Sequence, residues 1–387
     1  MNNMNWLNWL KWIFSGGIGT VLLIWVLNKL FSKQKVEVKI VPSTQNSEFR
    51  EIARSVFKEN FYNLKDVARE TAYNRSNEFT EEVIKALSAN PKNFDTFSEP
   101  SMQANLFEAQ KAYAKSGEGY LKILLLNYIN NIVKSVPKSL TRIILEESIK
   151  IVPKLTIRQC DMLSLIFLML YSPNYNLSTW EDFETLLNDC IYPFIESLSD
   201  NVTNYRHLEY TGCVFSKPGH YTAEELFQFY YPGMFSSGFT IERFKEKVDM
   251  NALKYKNDGI LINCFHNVNL YQINAIYKDD INKKGQEKNY NKSVIFELNR
   301  IQKEHLMNDD MVRNAILRIN TDLKKLFSIW NNSYISHLEL TSIGVSIAIS
   351  NIERKLGISL DYSIWLNEES SSKKLKYISD ELPRDIL

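Results

Sequence analysis

Residues 156–171 read TIRQCDMLSLIFLMLY, and this stretch decides the fold class. Thr156 and Gln159 have the spacing of a capping box, in which a hydroxyl accepts from the third backbone N–H of a helix and the amide reaches back. Leu155 and Cys160 stand where a hydrophobic staple would close over that start. The following run, MLSLIFLMLY, is almost wholly apolar. It is too short to cross a bilayer, which takes about 20 residues. The stretch therefore predicts a helix buried in a protein core.

Helical periodicity continues upstream. Leu121, Leu124, Leu125, Tyr128, Ile129 and Ile132 recur at i, i+3, i+4 and i+7 and form one apolar face. Pro137 and Pro153 bracket another helix carrying Leu140, Ile143, Ile144 and Ile151. Residues 49–87 are rich in helix formers, and Thr80 before Glu81 and Glu82 reads as a helix start, with a break at Asn90-Pro91. Downstream, Ser178-Thr-Trp-Glu181 and Thr222-Ala-Glu-Glu225 match capping boxes. Residues 207–215 (HLEYTGCVF) and 257–265 (NDGILINCF) read as short strands or a hairpin. Lys245-Glu246-Lys247 reads as a solvated face. Residues 282–292 (NKKGQEKNYNK) read as a linker, and Ile316, Ile319, Leu323, Phe327 and Trp330 line one face of a helical unit after it.

The N-terminus is of another kind. Residues 12–28, WIFSGGIGTVLLIWVLN, carry no charge. As a helix they would be roughly 26 Å long, and continuing to Phe31 reaches the roughly 30 Å of a hydrocarbon core. Trp6, Trp9 and Trp12 suit the headgroup level on the N-terminal flank. Lys29, Lys33, Lys35 and Lys39 follow the span, against only Lys11 before it. The positive-inside rule then places the N-terminus outside and the rest of the chain in the cytoplasm, at a bacterial inner membrane. A cleaved signal peptide would need a basic start and a small-x-small site, and neither is present. Ser15 with Gly19, and Gly16 with Thr20, have the small-xxx-small spacing that lets two membrane helices approach closely. That pattern predicts a homo-oligomer through the span.

The expected architecture is therefore mainly α with minor β. It runs from an outer flank (1–11), a single transmembrane helix (12–31) and a juxtamembrane linker (32–48) to a helical cytosolic domain (49–281). A C-terminal helical unit (293–366) and a polar tail (367–387) complete it. The chain has 387 residues and a formal net charge of +1, so no basic excess points to nucleic acid. Four widely spaced cysteines, Cys160, Cys190, Cys213 and Cys264, form no CxxC pair and fit a reducing compartment.

Chemistry-bearing patterns are sparse. Arg300-Ile-Gln-Lys-Glu-His305 places a guanidinium and an imidazole within reach on one helix, where they would bind phosphate and exchange protons with a ribose hydroxyl. The spacing resembles the R-x4-H motif of HEPN-type ribonucleases, although Ile301 stands where that family commonly has a polar residue. Cys213, His220, Cys264 and His266 are the possible zinc ligands, but C-x6-H and C-x-H are not spacings of common structural zinc sites. Phosphate-cradling glycine motifs, HExxH and GxSxG are absent, and no cofactor is expected.

Three stretches, 97–117 (FSEPSMQANLFEAQKAYAKSG), 147–168 (ESIKIVPKLTIRQCDMLSLIFL) and 338–357 (LELTSIGVSIAISNIERKLG), resemble bacterial Abi-alpha-type abortive-infection proteins in order and approximate spacing. The resemblance implies an α-helical domain and a role in defence against phage, with a phage or host protein as partner. It brings no active-site residues. Locally, Thr341 reads as a helix cap and Gly344 as a point of close packing. A membrane-tethered ribonuclease toxin and an anchored scaffold without a defence role are the alternatives.

Overall fold

A computed structural model describes residues 47–88, 91–172, 176–196, 198–248 and 259–366. The expected span at 12–31, its Trp6, Trp9, Trp12, Lys29, Lys33 and Lys35 flanks and its Ser15, Gly16, Gly19 and Thr20 positions lie outside these residues, as does the tail. No described helix is long and apolar enough to cross a membrane. The described part is mainly helical, with four short strands. It falls into two compact units that part between Lys122 and Ile123.

The first unit is built on α1 (Ser47–Leu87), a 3-10 turn (Pro91–Ser98) and α2 (Pro100–Ser116). The C-terminal half of α1 packs on α2 through Ala72, Phe79 and Val83 against Met102, Leu106 and Ala109, all buried. Thr80 does not start a helix, because α1 runs straight through it. Its hydroxyl donates to the Ser76 carbonyl (2.8 Å) one turn back and accepts from Gln110 Nε2 (2.6 Å), which satisfies it mid-helix. Gly117 ends α2 with φ 70°, and the Arg75 guanidinium fills the space where its Cβ would be. From the same position Arg75 donates to the Ala114 carbonyl in the last turn of the helix.

Helix α3 (Gly119–Lys134) carries the chain into the second unit, followed by α4 (Leu140–Ile151) and α5 (Ile157–Leu170). The predicted core helix is there. Thr156 accepts from Gln159 N, the Gln159 side chain closes the box, and Met162 through Phe167 are all buried. Each large apolar side chain so removed from water contributes about 1.5–3 kcal/mol. The face predicted for α3 is likewise buried at every position, from Leu121 to Ile132.

After α5 come α6 (Trp180–Thr185), a π-helical turn (Leu186–Ile191), α7 (Tyr192–Ile195) and α8 (Val202–Tyr210). The cap of α6 is one residue later than the sequence suggests. Thr179 and Asp182 form the box, and Ser178 donates its backbone N–H and hydroxyl to the same Asp182 carboxylate. The π turn has a local cause. Pro193 has no N–H to return to the carbonyl four residues back, and Tyr192 N–H bonds Leu187 O five residues back. Helix α8 takes the first four residues, 207–210, of the strand expected at 207–215, whose last two begin β1. Asn201 caps it, and Tyr205 and Leu208 bury its inner face.

Strand β1 (Val214–Ser216) pairs not with a neighbour but with the last strand, β4 (Leu338–Leu340), antiparallel with Phe215 opposite Glu339. Between them lie α9 (Ala223–Tyr230), α10 (Ile241–Lys247), the hairpin β2 (Leu261–Cys264) and β3 (Asn267–Ile273), then α11 (Asp280–Glu287), α12 (Lys292–Glu304), α13 (Asp309–Ile319) and α14 (Lys324–Asn332). The capping box predicted at Thr222 is present on α9. The expected linker at 282–292 is mostly helix, since Ile281 and Gly285 bury one side of α11 while its other positions stay polar. Lys247, read as solvated, is mostly buried and pairs with Glu304. The single face expected from Ile316 to Trp330 is two helices, parted at Asn320, whose φ −154° and ψ 115° are extended. Phe239, Phe244, Ile260, Ile273, Ile281 and Leu298 form a second core around the hairpin.

Helix α15 (Ser342–Leu356) returns to pack on α5 and α4, and α16 (Ser363–Leu366) closes on α15. Thr341 caps α15 as predicted, accepting from Gly344 N (3.1 Å). A Cβ on Gly344 would lie 2.0 Å from the Cys213 carbonyl, so only glycine allows this approach.

Candidate functional site

Arg300 and His305 sit at the end of α12. Arg300 is held on its own helix by Glu297 (2.7 Å) and Glu304 (3.6 Å). His305 is the C-cap, with φ −111° and ψ 20°. Its carbonyl accepts from both Ser237 N (2.8 Å) and Ser237 Oγ (2.9 Å), and its ring lies 5.3 Å from that of Phe239. Burial holds the His305 imidazole below its usual pKa, aided by Lys247 and Arg243 and opposed by Glu304. A neutral imidazole suits a general base. No hydrogen bond or ion pair joins it to Arg300, whose guanidinium would have to exchange two carboxylates for a phosphate.

The four possible zinc ligands each have separate surroundings. Cys213 is buried beside Thr211 Oγ1 (3.4 Å). Cys264 donates to the Ser236 carbonyl (3.4 Å). His266, at the β2–β3 turn, lies 2.7 Å from the Met234 carbonyl and under the edge of Trp180, with ring centres 4.4 Å apart. Among the described residues no group of three or more His, Cys, Asp or Glu side chains is gathered as a metal cage.

His220 has a different neighbour, His337. The β1–β4 pairing brings the loop after β1 to the 3-10 turn Tyr334–His337, and Lys217 N donates to the His337 carbonyl (2.9 Å). The two imidazole centres are 4.6 Å apart with planes at 47°. Lys217 Nζ is tied to Glu339 at 2.7 Å. Burial is the main cause that holds His337 below its usual pKa, with His220 and Lys217 adding to it and the Gly219 backbone opposing. The sequence offered no signal for this pairing, because the partners meet only through a strand contact between distant segments.

Among the described residues, two carboxylates are buried. Asp161 meets Asn351 Nδ2 (2.8 Å) and Lys355 Nζ (2.8 Å) at the α5–α15 seam. Glu224, wholly buried, accepts from Arg313 Nε (2.6 Å) and Asn331 Nδ2 (2.7 Å). Each is satisfied by its partners, which is the arrangement that fixes helix packing.

Helix α1 carries an exposed stretch. Residues 64–70 are exposed without interruption, as are Arg54, Ser55, Val56 and Lys58. Leu64 and Val67 stand 67% and 60% open to solvent, one turn apart. Residues 47–70 of this helix extend roughly 36 Å at 1.5 Å per residue. No curated protein and no solved structure matches the chain. A family model described only as ":-like", which names no activity, matches residues 44–366, most of the chain, and the chain belongs to that family.

Proposed function

We propose that the chain is a membrane-anchored phage-defence protein of the abortive-infection kind, acting through partner contacts of its helical body and not through an active site. The observation that carries this reading is α1. One continuous helix begins at Ser47, close behind the expected anchor, and its residues 64–70, Leu64 and Val67 among them, are exposed. A helix of that kind joins a membrane segment to a sensing domain and gives neighbouring copies a surface to meet. The uncharged run at 12–28, its small-residue spacing and the abortive-infection resemblance support the anchor, the clustering and the defence role. In-cell crosslinking tests it: the full chain should form oligomers at the inner membrane, and Gly16→Leu with Gly19→Leu should reduce them. Unchanged oligomers together with unchanged phage protection would refute the clustering.

A tethered ribonuclease is the second reading, favoured by His305, whose imidazole burial holds below its usual pKa. Intact cellular RNA on expression of the full chain, or a His305→Ala variant as toxic as the wild type, would remove it.

A further inference from the structure

We propose that His220 and His337 form a two-imidazole site for a borderline divalent cation of the zinc and copper class. The geometry is the first argument. Two imidazoles sharing one ion, with metal–nitrogen distances of 2.0–2.1 Å and a near-right or tetrahedral angle, place their ring centres about 4.5–5 Å apart. The observed separation is 4.6 Å, with the planes inclined and not stacked flat.

The surroundings are the second argument. The Gly219 backbone lies close to the His337 imidazole and favours its protonated form. Both histidines are also held from behind. The loop carrying His220 is pinned by Trp330 Nε1, which donates to the Tyr221 carbonyl at 3.0 Å. The turn carrying His337 is pinned at its start by Ser333 Oγ, 2.9 Å from the Tyr205 hydroxyl. His220 is exposed and His337 half-buried, so an ion has access from solvent. The one nearby cation, Lys217, is neutralised by Glu339.

Imidazole ligands suit Zn2+, Cu2+ and Ni2+ and disfavour Mg2+ and Ca2+, which take oxygen. Water would complete the coordination, since no third protein ligand is gathered there among the described residues. The consequence is a tie between the loop after β1 and the turn that leads into β4, so that a bound ion would clamp the β1–β4 ribbon.

The test is Cu2+ titration of the full chain in detergent, followed by electron paramagnetic resonance. One Cu2+ per chain with hyperfine coupling to two imidazole nitrogens is expected. His220→Ala and His337→Ala should each weaken binding by roughly tenfold or more and remove one coupled nitrogen, while His207→Ala leaves both unchanged. His220 is exposed, so its variant carries the test even if His337→Ala folds poorly. Unchanged Cu2+ affinity in His220→Ala, or no saturable binding by the wild type, would overturn the site.

Discussion

The Lys355 ammonium lies 2.8 Å from Oδ2 of Asp161, a side chain that is only 2% exposed. Asn351 Nδ2 reaches the other carboxylate oxygen, and the Arg354 guanidinium bonds Asn351 in turn. The charge is buried but answered on both oxygens, and it joins α5 to α15 across the centre of the second unit. Asp161→Ala removes one partner and strands the others, which costs about 3–5 kcal/mol for a buried pair. Asp161→Asn keeps the shape and should cost less. Urea denaturation of the three proteins measures this, and an Asp161→Ala loss below about 1 kcal/mol would show the pair to behave as a surface contact.

Gly344 sets a second limit on the same helix. The Cβ of an alanine there would lie 2.0 Å from a backbone carbonyl, which cannot move aside as a side chain tip would. Gly344→Ala should therefore destabilise by about 1–3 kcal/mol, although alanine is the better helix former. Gly357→Ala is a useful contrast, since its penalty comes from a positive φ of 68° in open space and not from a clash. A thermal melt in which Gly344→Ala equals or exceeds the wild type would contradict the close approach.

Burial lowers the pKa of three histidines, His266, His305 and His337, from the ordinary 6.5. The unfolded chain then binds more protons than the folded one once the pH drops below that value. Stability should be complete above pH 6.5 and fall as the pH decreases through the folded values. His266, held between the Met234 carbonyl and Trp180, should contribute most visibly, and His266→Asn should flatten the slope. Melting temperatures at pH 8, 6.5 and 5.5 check this; a melting temperature that rises toward pH 5.5 would reverse the sign.

The exposed stretch 64–70 of α1 separates stability from assembly. Leu64→Glu and Val67→Glu alter side chains that touch little, so melting should stay within about 0.5 kcal/mol of wild type. Crosslinking of full chains in the membrane should fall, because the charge lies on the uncovered face. Equal crosslinking in the double variant would show that the face is not used between copies.

Much of the fold was legible because its causes are local. The box at Thr156 and Gln159, the buried run behind it and the apolar face from Leu121 to Ile132 are each set by residues within one helix. The cap at Thr179 was missed by one position because Ser178 is an equally good cap by type, and Asp182 decides between them. Helix α11 was hidden because two buried positions, Ile281 and Gly285, suffice to seat it, too few to make a period in a polar stretch. Thr80 misled because a hydroxyl that bonds one turn back looks in sequence like one that caps. The site suffers most from distance. His220 and His337 are joined by the β1–β4 ladder, which no local pattern announces.

A plaque assay on cells expressing the wild type, His305→Ala and a chain lacking residues 1–32, at matched protein levels, tests the central claim most directly. The account predicts protection by the wild type and by His305→Ala, and its loss without residues 1–32. Protection that survives without those residues, or that disappears with His305→Ala alone, would contradict an anchored protein that works through its contacts.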